Sequence, residues 1–295
     1  MAQVAVVTDS TAYLPADLVQ GHGVSAPGEP GARVAALPLQ VVPLQVVVGG
    51  MSHDEGSEIT PADVADALRR YVPVSTSRPT PHAFLAAYER AAAAGAHEVV
   101  SVHISADMSG TIESASIAAR EAPVPVHVVD SRSMAMGLGF AVLSAVEAAA
   151  EGASGAEVAA VAEKRALATS GLFYVDTLEH LRRGGRIGAA QALLGSALAV
   201  KPLLELLDGR IVPLEKVRTA SRALARLEDL AVERAGTGAV DLAVHHLASP
   251  ERAAALAERL RERVPGLHDL RLAEVGAVVG AHVGPGMLGV VVAPR

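Results

Sequence analysis

The chain has 295 residues, enough for about two domains at roughly 150 residues each, so a core of ordinary size forms without staples. It contains no cysteine, which excludes a disulfide framework, a thiolate metal site and a cysteine nucleophile. A net charge of −7, no Trp, three Phe and four Tyr argue against a nucleic-acid partner, which needs a basic face and stacking rings, and favour an aliphatic ligand if there is one.

The opening residues reach an acid at Asp9 with no basic region or long apolar run before it. No export signal is expected there, and the protein is expected to stay in the cytoplasm. Residues 2–7 form a short apolar run ending in Thr8, Asp9, Ser10 and Thr11, the pattern of a buried strand that delivers polar groups to its C-terminal end. Residues 21–36 are rich in Gly and Pro without apolar periodicity and predict a mobile loop. The uncharged stretch 34–52 is broken by Pro38, Gln40, Pro43 and Gln45, so it reads as paired strands rather than a membrane span.

Thr60, Pro61 and Asp63 supply an N-cap, a first-turn proline and a capping-box acid, opening a helix towards Tyr71. The hydroxyl-rich segment 75–80 then reads as a loop, and Thr80-Pro81 opens a second helix that stops before Gly95. Residues 98–103 form a strand running into Ser105 and Ser109-Gly110-Thr111, and 126–129 form another running into Asp130-Ser131, each followed by an Ala-rich helical pattern.

Ser154 and Glu157 make a capping box after a helix end, placing a domain boundary between residues 152 and 153. Further on, 203–207, Asp208-Gly209 and 211–217 form a hairpin followed by a helix over 219–235. The uncharged run 275–294 carries five glycines and Pro285, and predicts strands with a glycine-rich turn around His282.

Strands alternating with helices predict an α/β protein of two domains. The first, 1–152, has a mostly parallel sheet with flanking helices and its ligand site beyond the strand C-termini. The second, 153–295, is an α/β domain with a mixed sheet.

The sequence Gly284-Pro285-Gly286-Met287-Leu288-Gly289 matches the dinucleotide fingerprint, but an apolar run follows it where a helix is required, so it is rejected. There is no P-loop, no His-Glu-x-x-His helix and no Gly-x-Ser-x-Gly elbow. Taken singly, the remaining motifs stay open between two readings. The hydroxyls of 75–80 suit a polar site or ordinary turn chemistry; Ser109-Gly110-Thr111 suits anion binding at a helix N-terminus or a plain cap. Gly184-Gly185-Arg186 suits a site or a helix C-cap, and a lone histidine such as His282 is more often structural.

As an ordered set these motifs carry more. With VVTDST at 6–11, TSRPT at 76–80, SGT at 109–111, LRRGGRI at 181–187, KPLLELLDGRI at 201–211, KVR at 216–218 and GAHVGPGMLGV at 280–290, the chain resembles the DegV family, the fatty-acid-binding (FakB-type) subunits of bacterial fatty acid kinase. The resemblance spans nearly the whole chain, although the 21–36 loop looks longer than the family's usual linker.

The resemblance implies two α/β domains with a lipid tunnel, and a long-chain fatty acid whose carboxylate is held near the domain junction by Thr76, Ser109 and His282, with Ser77 beside them. Further site or partner contacts are expected from Asp9, Ser10, Thr111, Ser131 and Gly284, and from Arg186, Lys201 and Arg218, whose charges suit an acidic partner or the transferred phosphate. It implies no catalytic residue, metal or cofactor beyond the bound fatty acid; a separate fatty acid kinase catalytic subunit would phosphorylate the carboxylate using ATP, for phospholipid synthesis. Transient membrane contact fits such a role.

Two other readings stand beside it. One is a hydrolase or transferase with Ser109 as nucleophile, His282 as base and Asp9 or Asp130 as orienting acid. The other is a carrier or sensor of a different amphipathic acid.

Overall fold

A computed structural model describes residues 3–14, 39–193 and 201–295; the loop expected over 21–36 lies outside the described residues. In chain order the first elements are β1 (Val4–Asp9), a 3-10 turn (Ser10–Ala12), β2 (Gln40–Val42), β3 (Gln45–Val48), β4 (Met51–Asp54) and α1 (Pro61–Arg69). Next come β5 (Val74–Ser77), α2 (Pro81–Ala93), β6 (Glu98–His103), α3 (Thr111–Ala119), β7 (Val126–Asp130) and α4 (Met136–Ala150). Then follow α5 (Gly155–Ala168), β8 (Ser170–Tyr174), α6 (Glu179–Arg183), a second 3-10 turn (Gly188–Leu193), β9 (Lys201–Leu207) and β10 (Arg210–Val217). The last are α7 (Ala220–Ala235), β11 (Val240–His246), α8 (Pro250–Arg263), β12 (Leu267–Glu274), α9 (Ala277–Val283) and β13 (Leu288–Pro294).

Local chemistry explains most boundaries. The Thr60 side chain accepts from the Asp63 amide while the Asp63 carboxylate accepts from the Thr60 amide, which opens α1; Thr80 and Thr219 cap α2 and α7 in the simpler way. Asp208 and Gly209, at φ of 49° and 81°, form the left-handed pair that a two-residue hairpin between β9 and β10 requires.

Contacts divide the chain into two units, Met1–Pro43 with Arg78–Leu167, and Leu44–Ser77 with Ala168–Arg295. This differs from the contiguous halves expected about residues 152 and 153, for two reasons. Helix α5 buries Val158, Ala162 and Ala166 with Val4, Val100 and Leu138, so it packs with the first unit despite its capping-box start. The excursion Leu44–Ser77 covers Leu44, Val46 and Val64 with Ala277, Val278 and Ala281 of α9, and so packs with residues far along the chain.

The first unit has a parallel sheet in the order β2-β1-β6-β7. All six residues of β1 are buried, because helices cover both faces. Val4 and Val6 pack with α4 and α5, while Ala5 and Val7 pack with α2 and α3. The second unit has a six-stranded mixed sheet, β10-β9-β8-β13-β11-β12, whose core joins Leu172, Leu203, Leu242 and Val290 to Leu227 of α7 and Leu256 of α8. It also holds a three-stranded antiparallel sheet, β4-β3-β5.

Two local expectations change. Residues 74–77 form strand β5 rather than loop, because they pair with β3, a partner the turn-forming hydroxyls conceal. His282 lies in helix α9 rather than a turn, and the run 275–294 is this helix followed by β13. Among the described residues no helix is long and apolar enough to cross a membrane.

Candidate functional site

In the second unit Thr76 is opposite Val46 of β3, and Val46 is fully buried against α9. Strand alternation therefore turns Thr76 towards α9 and sends Ser77 to the opposite, exposed face, where its hydroxyl reaches Gln45. Thr76 Oγ1 and His282 Nε2 are 2.8 Å apart, although 206 positions separate them in sequence. Burial, with the positive Arg186 nearby, pushes the His282 imidazole down to about 4, so it is neutral at pH 7. Its buried Nδ1 has no hydrogen-bond partner among the described residues.

The glycines around this pair have a shape role. A Cβ on Gly184 would fall 2.0 Å from His282 Nδ1, and a Cβ on Gly284 would fall 2.1 Å from His180 Cδ2. Helices α6 and α9 thus end in glycine caps, Gly184 and Gly284, each of which hosts the other helix's histidine. Gly284 also takes a φ of +75° that favours glycine. Gly286 makes room in the same way for Asp176, whose Oδ2 would be 2.0 Å from an added Cβ.

Charged groups fix the surrounding loops. Arg186 donates to the Gly184 carbonyl at 2.7 Å. Lys201 donates to the Asp176 carbonyl at 3.0 Å and to its carboxylate at 3.2 Å, and the Tyr174 hydroxyl donates to the same carboxylate. Arg218 is exposed just beyond β10. The sequence reading passed over His180 and Asp176, whose only signal is the pair of glycines they press against.

In the first unit the Ser109 and Thr111 hydroxyls are 2.8 Å apart at the start of α3. The N-cap of that helix is Gly110, with no side-chain cap bond, so Ser109 is not an ordinary cap. Asp9 is turned inward: its carboxylate accepts from Thr11 N at 3.0 Å, Thr11 Oγ1 at 2.5 Å and Ile104 N at 2.9 Å, and contacts His103 Nδ1 at 3.0 Å. His103 Nε2 is 2.6 Å from Ser101 Oγ, which lies 2.9 Å from the Tyr88 hydroxyl. Burial pushes the Tyr88 phenol up to about 12. Ser131 is also buried, bonding the Ser133 carbonyl and amide. Ser10, half-buried, follows Asp9 in the 3-10 turn.

The connectivity Ser101, His103, Asp9 is that of a nucleophile, base and orienting acid, yet all three side chains are fully buried within the core. No substrate reaches them, and Asp9 is committed to holding the ends of β1 and β6. An Asp9→Ala protein is expected to lose about 3 kcal/mol in denaturant unfolding, because Ile104 N, Thr11 and His103 lose their shared acceptor.

Fold and site together define a two-unit α/β protein with a neutral histidine and a threonine paired at a glycine-capped helix end. The chain belongs to the DegV family: the model described as "Uncharacterised protein, DegV family" matches residues 30–295. A DegV domain-containing protein of Streptomyces coelicolor is 59% identical, with 99% of each chain covered. Among solved structures, a fatty-acid-binding DegV family protein from Thermus thermophilus is 34% identical with a TM-score of 0.89, covering 99% of this chain and 100% of its own. DegV from Bacillus subtilis, a fatty acid binding protein, is 32% identical with a TM-score of 0.87 over 100% of both chains.

Proposed function

We propose that this protein holds a long-chain fatty acid and offers its carboxylate to a separate ATP-dependent kinase, with no catalytic residue, metal or cofactor of its own. The observation that carries the reading is the Thr76–His282 pair, a neutral imidazole whose remaining ring nitrogen is buried without a partner among the described residues. The hydrogen inventory supports it. An unpaired buried N–H is rarer than an unpaired acceptor, which favours the proton on Nε2, donated to Thr76 Oγ1. The Thr76 hydroxyl hydrogen is then left to donate to an anion such as a carboxylate.

The fatty acids bound by the relatives from Thermus thermophilus and Bacillus subtilis supply the ligand class. Tail burial at about 0.8 kcal/mol per methylene gives on the order of 10 kcal/mol for a long acyl chain. Each hydrogen bond to the charged head adds about 1.5 to 3 kcal/mol, so the tail dominates retention and the polar residues govern presentation. Ser109, beside a helix start with no side-chain cap, is the second proposed head-group donor. The exposed Arg218 is suited to the partner or to the transferred phosphoryl group. A cytoplasmic location fits a substrate of an ATP-dependent enzyme.

The hydrolase reading needs an acid to orient His282, and among the described residues none reaches its Nδ1. Mass spectrometry of the organic extract of the purified protein is expected to show near-stoichiometric fatty acid. A clean extract with no uptake of added oleate or palmitate would overturn the binding reading. Thr76→Val, Ser109→Ala and His282→Ala are expected to keep most of the lipid while phosphorylation by the kinase falls by about tenfold or more. Undiminished phosphorylation would remove these residues from presentation.

A further inference from the structure

Helix α9, which carries His282, has only seven residues, and its N-cap Gly276 has no side chain with which to close the first turn. A helix this short does not hold its own orientation in water. Beside the apolar packing of Ala277, Val278 and Ala281 on Val46 and Val64, it has a polar anchor from elsewhere: the Glu55 carboxylate accepts from the Val278 amide at 2.7 Å, across 223 positions of sequence. Glu55 is only 7% exposed, a costly place for a carboxylate unless its oxygens are engaged.

The backbone of Glu55 is itself fixed. Its amide donates to the Leu44 carbonyl at 2.9 Å, and the residue bridges to Ile59. Leu44 directly precedes β3, the strand that holds Thr76 of β5 in register opposite Val46. Val278 lies about one turn before His282, so fixing its amide fixes the turn that leads to His282. Both ends of the Thr76–His282 contact are therefore referred to one frame, Thr76 through β3 and His282 through Glu55.

We propose that Glu55 is a positioning residue that sets His282 against Thr76. It touches no ligand in this scheme. The assignment rests on the proposed head-group role of the pair for its purpose, but not for its geometry.

The test is a lipid-free NMR titration of histidine side chains in the full chain, comparing wild type with Glu55→Ala, Glu55→Asp and Glu55→Gln. Loss or withdrawal of the carboxylate in the Ala and Asp variants is expected to release α9 and raise the His282 midpoint by about one pH unit or more towards the solvated value. Gln keeps an acceptor oxygen and is expected to restore the wild-type midpoint. His245, buried on β11 in the mixed sheet, is the internal reference and should not move.

An unshifted His282 in both the Ala and Asp variants would overturn the assignment, as would a joint shift of His282 and His245, which marks general loosening. A clean organic extract would instead refute the fatty-acid reading and leave this result standing.

Discussion

Replacing Gly184 with alanine is expected to break the Thr76–His282 pair, and with it the proposed presentation of a fatty acid, while leaving most of the fold intact. The new methyl would sit 2.0 Å from His282 Nδ1 and 2.7 Å from Cε1, far inside contact distance. His180 O, 3.3 Å away on the backbone, limits retreat of the loop, so the imidazole must turn and give up Thr76. Overpacking of this kind costs roughly 1 to 3 kcal/mol. In the proposed role, phosphorylation by a kinase should fall as far as in His282→Ala. Gly185 is the matched control: its Cβ would meet nothing within 4 Å, and its φ of +70° leaves only backbone strain of roughly 1 to 2 kcal/mol. Gly185→Ala should therefore lose some stability and keep presentation. Equal behaviour of the two variants would show that the histidine and glycine interlock is not a constraint.

Lowering the pH from 7.5 to 5.5 should weaken the protein by roughly 2 to 3 kcal/mol through two histidines. His282 and His245 are both held down to about 4 from 6.5, chiefly by burial. His246 and His180 are lowered by burial too. The native state keeps these rings unprotonated, whereas the unfolded chain takes up protons near 6.5. The stability they permit is fully present above that pH, falls through the window between 6.5 and 4, and stops falling below it. Urea midpoints at the two pH values measure the effect. A His245→Leu protein should show a shallower pH dependence, and a pH-independent midpoint in wild type would contradict the account.

Legibility in the sequence tracked the range of the interaction. The Thr60, Thr80 and Thr219 caps and the Asp208-Gly209 turn act within a few residues, and the elements they bound follow the sequence reading closely. The parallel sheet followed from apolar runs at 98–103 and 126–129 that end in hydroxyls. Strand β5 was concealed because Ser75, Thr76 and Ser77 have local turn preferences that only pairing with β3 overrides. Helix α9 was concealed because glycines at 276, 280 and 284 erase its periodicity and its cap lies on Glu55.

The candidate site divides in the same way. Thr76 and His282 were named from motifs and lie in contact, whereas Ser77 points away and Asp9, expected at an open strand end, is enclosed by amides and His103. His180 and Asp176 carry no motif, since what marks them is the space left by Gly284 and Gly286.

The excursion at Leu44–Ser77 also sets a clock on biosynthesis. Its apolar residues Leu44, Val46 and Val64 find their cover in Ala277, Val278 and Ala281, which leave the ribosome about two hundred residues later. At roughly 5 to 20 residues per second, that interval is on the order of 10 to 40 s. During it the apolar side chains of Leu44, Val46 and Val64 lack the cover that α9 gives them in the finished structure. The threonine and histidine meet only when the last helix, α9, emerges, so a ribosome-bound chain stalled before residue 277 has the first unit's sequence complete and no Thr76–His282 pair.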